Sequence, residues 1–344
     1  QDFGGRASYV PNGNNGDFVN DGQGSAADCH GHGTHVAGTA AGASFGVAKG
    51  AKIWAARVIN CAGSGEVEMV IEAIDWVTAN AERPASVNMS LGYGNVQSIR
   101  DAVEASVAAG INHAVSAGNG NFLGRPQDAC NQAPGGAPNA VTVGATEIDD
   151  DEASFSNFGS CVDILAPGVN IISASHTSDN GSVGMSGTSM ASPHVAGAMA
   201  VYLSGNPSAT PAQVTNWLVS NASLDKIDLH RSSETNGTAN RLLFIGGGDE
   251  PPPPPGNDPP TANFTASCSA SNCTFTNTST DPDGNADIVE SRWSYGDGAT
   301  QTVAGRGNGS HTYAGPGTYS VSLTVEDSEG NTNTRTQSVR VRRR

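Results

Sequence analysis

Gly187-Thr188-Ser189-Met190-Ala191-Ser192-Pro193-His194-Val195-Ala196-Gly197 is the stretch around which the chain organises itself. A serine stands just ahead of a run of small and apolar residues that takes in Ala191, Val195, Ala196, Ala198, Met199 and Ala200. The pattern reads as a buried helix with Ser189 at its N-terminus. Pro193 falls in the first turn on this reading, where a missing N–H costs little. Free backbone N–H groups at a helix start stabilise a developing oxyanion. A serine hydroxyl is a poor nucleophile at neutral pH until a base takes its proton. The candidate base is His32, in His30-Gly31-His32-Gly33-Thr34-His35-Val36-Ala37-Gly38-Thr39.

The two blocks together resemble the histidine and serine blocks of the subtilase superfamily of serine endopeptidases, whose triad runs Asp, His, Ser along the chain. The resemblance implies Ser189 as nucleophile and His32 as the base that later protonates the leaving amine. Val115-Ser116-Ala117-Gly118-Asn119 follows an apolar segment and resembles the family's oxyanion block, which implies Asn119 as a side-chain donor. His35, three residues after His32, reads as structural, and His30 as a loop residue. A metal site built from His30, His32 and His35 lacks any supporting carboxylate or thiol beyond Cys29.

The third block is absent. No Asp-Thr-Gly or Asp-Ser-Gly turn closes an apolar strand before His32. Asp2 precedes His32 by thirty residues, but nothing apolar comes before it, and Phe3-Gly4-Gly5-Arg6-Ala7 resembles the segment that follows the family's Asp turn. The spacing is restored by an insertion, residues 11–27, rich in Gly, Asn and Asp, so that Asp17, Asp21 and the adjacent Asp28 read as solvated. The sequence thus reads as starting downstream of the catalytic Asp, with residues 1–344 expected to be impaired.

Ser90-Leu91-Gly92 follows an apolar strand at 85–89, and Gly63-Ser64-Gly65 follows one at 53–59. The resemblance implies that these segments pair with the substrate main chain, to which glycine permits close approach. Ser116, Ala117 and Gly118 would wall the pocket for the residue before the scissile bond. Their small side chains imply a roomy pocket and broad specificity.

Six cysteines without Cys-x-x-Cys spacing point to disulfides in an oxidising compartment. Spacing alone leaves three pairings for Cys29, Cys61, Cys130 and Cys161. Within the superfamily the chain is similar to the proteinase K and aqualysin group, which implies Cys29–Cys61 and Cys130–Cys161. Cys268 and Cys273 are placed for a small local bridge. The same group implies structural Ca2+, held by the Asp163 side chain and the carbonyls of Pro138 and Ala140, all hard oxygen donors. No organic cofactor is implied.

At 344 residues there is room for two domains. Residues 1–245 alternate apolar strands with helical stretches, such as Val67, Val70, Ile71, Ile74 and Val77. The expected fold is α/β, a subtilisin-like parallel sheet covered by helices on both faces. Residues 246–260 form a Gly/Pro-rich linker with five consecutive prolines, 251–255. Residues 261–341 alternate apolar with polar residues, cleanly so at 318–325, and carry turns at Asp281-Pro282-Asp283-Gly284 and Tyr295-Gly296-Asp297-Gly298. These features predict a small all-β sandwich. Trp293 to Gly298, His311-Thr312-Tyr313 and Gly317-Thr318-Tyr319 resemble a PKD domain, with Ser294 where members usually carry Asp. Trp293 reads as core. Such modules beside secreted hydrolases engage insoluble polymers or act as spacers.

The formal charge of −16, with Lys49, Lys52 and Lys226 as the only lysines, disfavours nucleic acid and anionic membranes. No apolar run is long enough to span a bilayer. The reading is a secreted, monomeric serine endopeptidase acting on proteins or peptides, insoluble protein among them through the PKD-like region. The alternative is a non-catalytic subtilase-like scaffold whose PKD-like domain binds proteins or polysaccharides.

Overall fold

Strands buried on both faces are apolar at nearly every position, and this is how residues 141–146 and 164–166 come to lie in the middle of a parallel sheet. The computed structural model describes residues 2–19, 21–246, 259–281, 287–328 and 330–342. The linker residues 247–258, the turn residues 282–284 and the terminal arginines 343 and 344 lie outside the described residues. The chain divides into two units, Gln1–Pro253 and Pro254–Arg344.

The first unit begins with β1 (Ala7–Tyr9), α1 (His32–Ala41), β2 (Ile53–Ala55), α2 (Val67–Asn80), β3 (Ser86–Met89), α3 (Gln97–Ala108), β4 (Asn112–Ser116) and β5 (Val141–Thr146). It continues with β6 (Ile164–Pro167), β7 (Ile171–Ala174), β8 (Ser182–Met185), α4 (Thr188–Gly205), α5 (Pro211–Asn221), β9 (Ser223–Leu224), α6 (Arg231–Thr235) and β10 (Arg241–Leu242). The main sheet has the order β3-β4-β5-β6-β10-β9, parallel except for the terminal pair β10–β9. Its two faces are sorted by the strand alternation. Val115 points to the side where Val70 and Ile74 of α2 and Val103 and Val107 of α3 are packed. Ala114, Val143, Ala145 and Ile164 face the other side, against α4 and α5. There Trp217 of α5 stacks on Tyr202 of α4 at 4.7 Å.

β1 and β2 form a separate parallel pair, with Ala7 opposite Ile53. Helix α2 covers this pair as well, through Ala73, Met69 and Trp76, which lies 6.0 Å from Trp54. β2 is shorter than the apolar run at 53–59 predicts. It stops at Ala55 because the chain then turns Arg57 inward, to a 3.1 Å ion pair with Asp17. Asp21, which also pairs with Arg57, stays exposed, whereas Asp17 is only 3% exposed, so it is not solvated as its polar surroundings in sequence suggest. Charges so enclosed survive only when paired. Helix α4 corrects another expectation: it starts at Thr188, so Pro193 is its sixth residue and lies inside the helix, beyond the first turn.

His113 on β4 is 2% exposed, with Nε2 2.8 Å from Ser106 Oγ of α3. Burial pulls its pKa from 6.5 to about 4. The folded state therefore stays neutral at this site while the unfolded chain takes up a proton below about pH 6.5. Stability contributed by the neutral ring is fully present above pH 6.5 and falls as the pH drops toward 4, by about 3 kcal/mol. Urea unfolding of the wild type and of His113→Gln at pH 7 and pH 4 checks this. The two should differ in pH dependence by that amount, and parallel curves would remove His113 as the cause.

The second unit comprises β11 (Phe264–Ser269), β12 (Asn272–Asn277), β13 (Ile288–Ser294), β14 (Thr300–Ala304), β15 (Gly309–Thr312), β16 (Gly317–Asp327) and β17 (Thr332–Val341). They make two antiparallel sheets, β11-β12-β15 and β14-β13-β16-β17. Val321, Leu323 and Val325 alternate inward along β16, and Phe264, Phe275, Trp293, Tyr295 and Tyr313 complete the core. Trp293 is 1% exposed and meets Phe264 edge-on at 5.1 Å. Cys268 and Cys273 are direct cross-strand partners and are bonded to each other.

Candidate active site

His32 is the first residue of α1, and what holds it there is Asp28. One carboxylate oxygen accepts from the amides of His30 and Gly31 at 3.0 and 2.7 Å. The other accepts from the amide and hydroxyl of Thr34, both at 2.7 Å. Burial works against the Asp28 charge, but these bonds outweigh it and hold the carboxyl below its ordinary range. Asp28 is thus a helix cap, contrary to its expected solvation. Gly31 has φ 98°, and the ring of His176 occupies the place that a Cβ would take there. A residue with a side chain would meet both strain and a clash. The Cys29–Cys61 disulfide, with Cα atoms 5.0 Å apart, ties this turn to the segment after β2.

Burial pulls the His32 pKa below its usual value, and His30 and His35 push the same way against Asp28. A neutral imidazole is the form that accepts a proton. Among the described residues no carboxylate forms a hydrogen bond or ion pair with its ring. Asp2 is engaged elsewhere. Its Oδ1 accepts from Ser44 N at 2.7 Å, just past the C-terminal end of α1. A ten-residue helix puts that end about 15 Å from His32. His35 is fully buried, and its Nε2 lies 2.9 Å from Ile171 O and 3.2 Å from Val183 O. Among the described residues His30, His32 and His35 do not bring their ring nitrogens close enough together to hold one metal ion.

Ser189 is half-buried in the first turn of α4. The residue before it, Thr188, donates from both its amide and its hydroxyl to Asn119 Oδ1, each at 2.8 Å. These two bonds fix which end of the Asn119 amide is oxygen and turn its Nδ2 donors away from Thr188. The Thr188 hydroxyl also accepts from Gly118 N at 3.1 Å. Gly118, at φ 101°, leaves room for Asn157, whose Nδ2 stands where a Cβ would be. Asn157 Nδ2 donates to Ala117 O at 2.8 Å, and its Oδ1 accepts from Gly120 N and Gln127 N at 2.9 and 2.8 Å. Asn157 therefore braces the Asn119 loop on both sides. The sequence carries no local motif for it. Helices α1 and α4 touch where Gly197 meets the Ala40 carbonyl. Among the described residues no hydrogen bond joins His32 to Ser189.

The candidate cleft segments are drawn together. Tyr93 Oη donates to Gly65 O at 2.9 Å, linking Gly63-Ser64-Gly65 to the segment that holds Ser90, Leu91 and Gly92. Ser116 Oγ donates to Leu91 O at 3.1 Å, which brings Ser116-Ala117-Gly118 to the same place. Three residues past Asn119, a turn held by the Asn121 side chain exposes Phe122 (95%) and Leu123 (63%).

Asp163 Oδ2 accepts from Thr142 N at 2.8 Å, which lays its carboxylate beside the start of β5, two residues after Ala140. Burial pushes this carboxyl up to about 6, against the Thr142 bond and Arg241. Cys130 and Cys161 are bonded, with Cα atoms 5.5 Å apart. The donors on offer, one carboxylate and the carbonyls of Pro138 and Ala140, are all hard oxygens, a set that fits calcium. Among the described residues no helix is long and apolar enough to cross a membrane.

Both units match known protein families. Residues 6–248 match the subtilase family, and residues 257–342 match the PKD domain. The chain is 47% identical over 228 residues to alkaline serine exoprotease A of Vibrio alginolyticus, covering 66% of this chain and 40% of that one. It is 50% identical over 196 residues to the extracellular serine proteinase of Thermus sp. strain Rt41A, covering 57% and 47%. A cuticle-degrading serine protease of Arthrobotrys oligospora is 42% identical over 222 residues, covering 64% and 52%. The chain thus spans about half the length of the curated relatives it matches. A solved structure of a cold adapted subtilisin-like serine proteinase superposes with a TM-score of 0.65 at 45% identity, covering 72% of this chain and 84% of that one.

Proposed function

Because this chain belongs to the subtilase family, we propose that it hydrolyses peptide bonds of proteins as a secreted serine endopeptidase, with Ser189 as nucleophile and His32 as base and then acid. The single observation that carries this reading is the locked Thr188–Asn119 pair beside Ser189. It leaves the Asn119 Nδ2 group and the first amides of α4 as donors for the oxyanion of a tetrahedral intermediate. Ser189 adds to the carbonyl carbon as its proton passes to His32. The amine leaves with that proton, and water then opens the acyl-enzyme by the reverse sequence. Ser116, Ala117 and Gly118 wall the pocket for the residue before the scissile bond, and Gly63 to Gly65 with Ser90 to Gly92 pair with the peptide main chain. Secretion accords with the disulfides and with relatives named as extracellular or exoproteases. The test is reaction of the chain with a phenylmethanesulfonyl fluoride probe together with hydrolysis of an internally quenched peptide. The label should map to Ser189, and both reactions should be lost in Ser189→Ala.

The bare imidazole of His32 favours one other reading, a subtilase-like scaffold that binds without cutting. Peptide binding to a chain inert toward the sulfonyl fluoride would decide for it.

Calcium, when bound, supplies structural cross-linking, with Asp163, Pro138 and Ala140 as its holders. Chelation with EDTA should lower the melting temperature of the first unit by roughly 5–10 °C. Asp163→Asn should remove most of that difference in a thermal scan with and without Ca2+. An equal EDTA effect in the variant would move the site elsewhere.

The PKD unit raises the local concentration of the first unit at an insoluble protein surface. Deleting residues 254–344 should leave hydrolysis of a small soluble peptide unchanged and lower release of fragments from insoluble collagen several-fold. Equal rates on collagen would leave the unit as a spacer.

A further inference from the structure

A proline inside a helix removes the amide hydrogen that would close onto the carbonyl four residues back. In α4 that proline is Pro193, and the carbonyl deprived of its helical donor belongs to Ser189 itself. It does not go unpaired. Ser90 Oγ donates to Ser189 O at 2.6 Å. Ser90 is in turn held by Asn88, whose Nδ2 donates to Ser90 Oγ at 3.0 Å. Asn88 Oδ1 accepts from Ser192 Oγ at 2.7 Å, one residue before Pro193, so the bonds run from α4 through the end of β3 and back to α4. Since Ser90 Oγ accepts from Asn88, its single proton is committed to Ser189 O.

We propose that Ser90 is a positioning residue, its hydroxyl standing in for the missing Pro193 amide and setting the direction of the Ser189 carbonyl and hence of the Ser189 side chain. The inference rests on Ser189 being the nucleophile. The Ser189 carbonyl and side chain share one Cα, so a carbonyl that swings to find another donor carries Oγ with it. Displacements of about 1 Å at reacting atoms cost about 10²-fold in rate. The Ser90 hydroxyl is occupied on the helix side, away from any peptide paired to the main chain, so its loss belongs in kcat rather than KM.

The experiment is a double-variant cycle on the full chain, read as kcat and KM on a short chromogenic peptide. Ser90→Ala should lower kcat about 10- to 100-fold with KM within about threefold. Ser90→Thr, which keeps the hydroxyl, should stay close to the wild type. The deciding variant is Ser90→Ala combined with Pro193→Ala. The new amide at position 193 supplies the donor that the hydroxyl supplied, and kcat should recover most of the loss. A purely structural role for Ser90 would show as a lower melting temperature with kcat unmoved, which overturns the proposal. So does a kcat loss from Ser90→Ala that is the same with and without Pro193→Ala. If the wild type neither cuts the peptide nor reacts with the sulfonyl fluoride, the nucleophile assignment itself fails and takes this inference with it. If the wild type does both and Ser90→Ala is indistinguishable, this inference alone fails.

Discussion

Ser189→Ala is expected to lower kcat by about 10⁶-fold in a form of the protein where a carboxylate orients His32, and by only about 10²-fold where none does. The difference follows from how triads work. Losing the serine costs about 10⁶, losing the carboxylate alone about 10⁴, and the losses overlap because the three groups act as one unit. Without a carboxylate the imidazole is free to take the wrong tautomer, and the imidazolium formed during attack has no counter-charge. Among the described residues the His32 ring has no such partner, and Asp2, the nearest candidate by spacing, spends its carboxylate on Ser44 N. Single-turnover rates of wild type and Ser189→Ala on one activated peptide ester give the ratio. A ratio near one would remove Ser189 as the nucleophile, and a ratio near 10⁶ in residues 1–344 would mean that His32 does find a carboxylate.

Asn119→Ala is expected to lower kcat by about 10²–10³-fold and leave KM within a few-fold. The amide carbonyl is saturated by Thr188, so the only free capacity of Asn119 is its Nδ2 donors. A neutral ground-state carbonyl gains little from one more donor, whereas an oxyanion gains much in a site from which water is excluded. Asn119→Asp is the sharper test. It keeps the acceptor toward Thr188, and so the loop, yet offers a charge of the wrong sign to the oxyanion. Its kcat should fall at least as far as that of the alanine variant with the melting temperature held. If Asn119→Asp retains more than about a tenth of wild-type kcat, the donor role is wrong.

The histidine and serine blocks are legible because both sit at helix starts, where glycines, a serine or histidine and an apolar run must follow one another along the chain. That grammar is local, and the positions of His32 and Ser189 at the first turns of α1 and α4 follow from it. The parallel sheet is legible for the same reason, since strands buried on both faces cannot hide their composition. Other features depend on residues far apart in sequence. Asp17 reads as solvated because its neighbours are Gly, Asn and Asp, and only the fold buries it against Arg57. Asn157 braces the Asn119 loop from nearly forty residues away. Pro193 reads as a first-turn proline only if the helix starts later than Thr188. Its tolerance inside α4 depends on Ser90, about a hundred residues earlier. The apolar tip at Phe122 and Leu123 also leaves no sign, because adjacent apolar residues usually mean burial.

The four tryptophans divide the molecule optically. Trp54 and Trp76 sit together between β2 and α2, Trp217 lies against Tyr202 in the sheet core, and Trp293 is enclosed in the second unit. Intrinsic fluorescence therefore carries three separate signals. A variant keeping only Trp293 reads the melting of the PKD sandwich with no contribution from the first unit, and one keeping only Trp217 reads the parallel sheet. A third, keeping Trp54 and Trp76, watches the small β1–β2 pair leave its helix. Emission spectra across a denaturant series would assign an unfolding midpoint to each region without a single added dye.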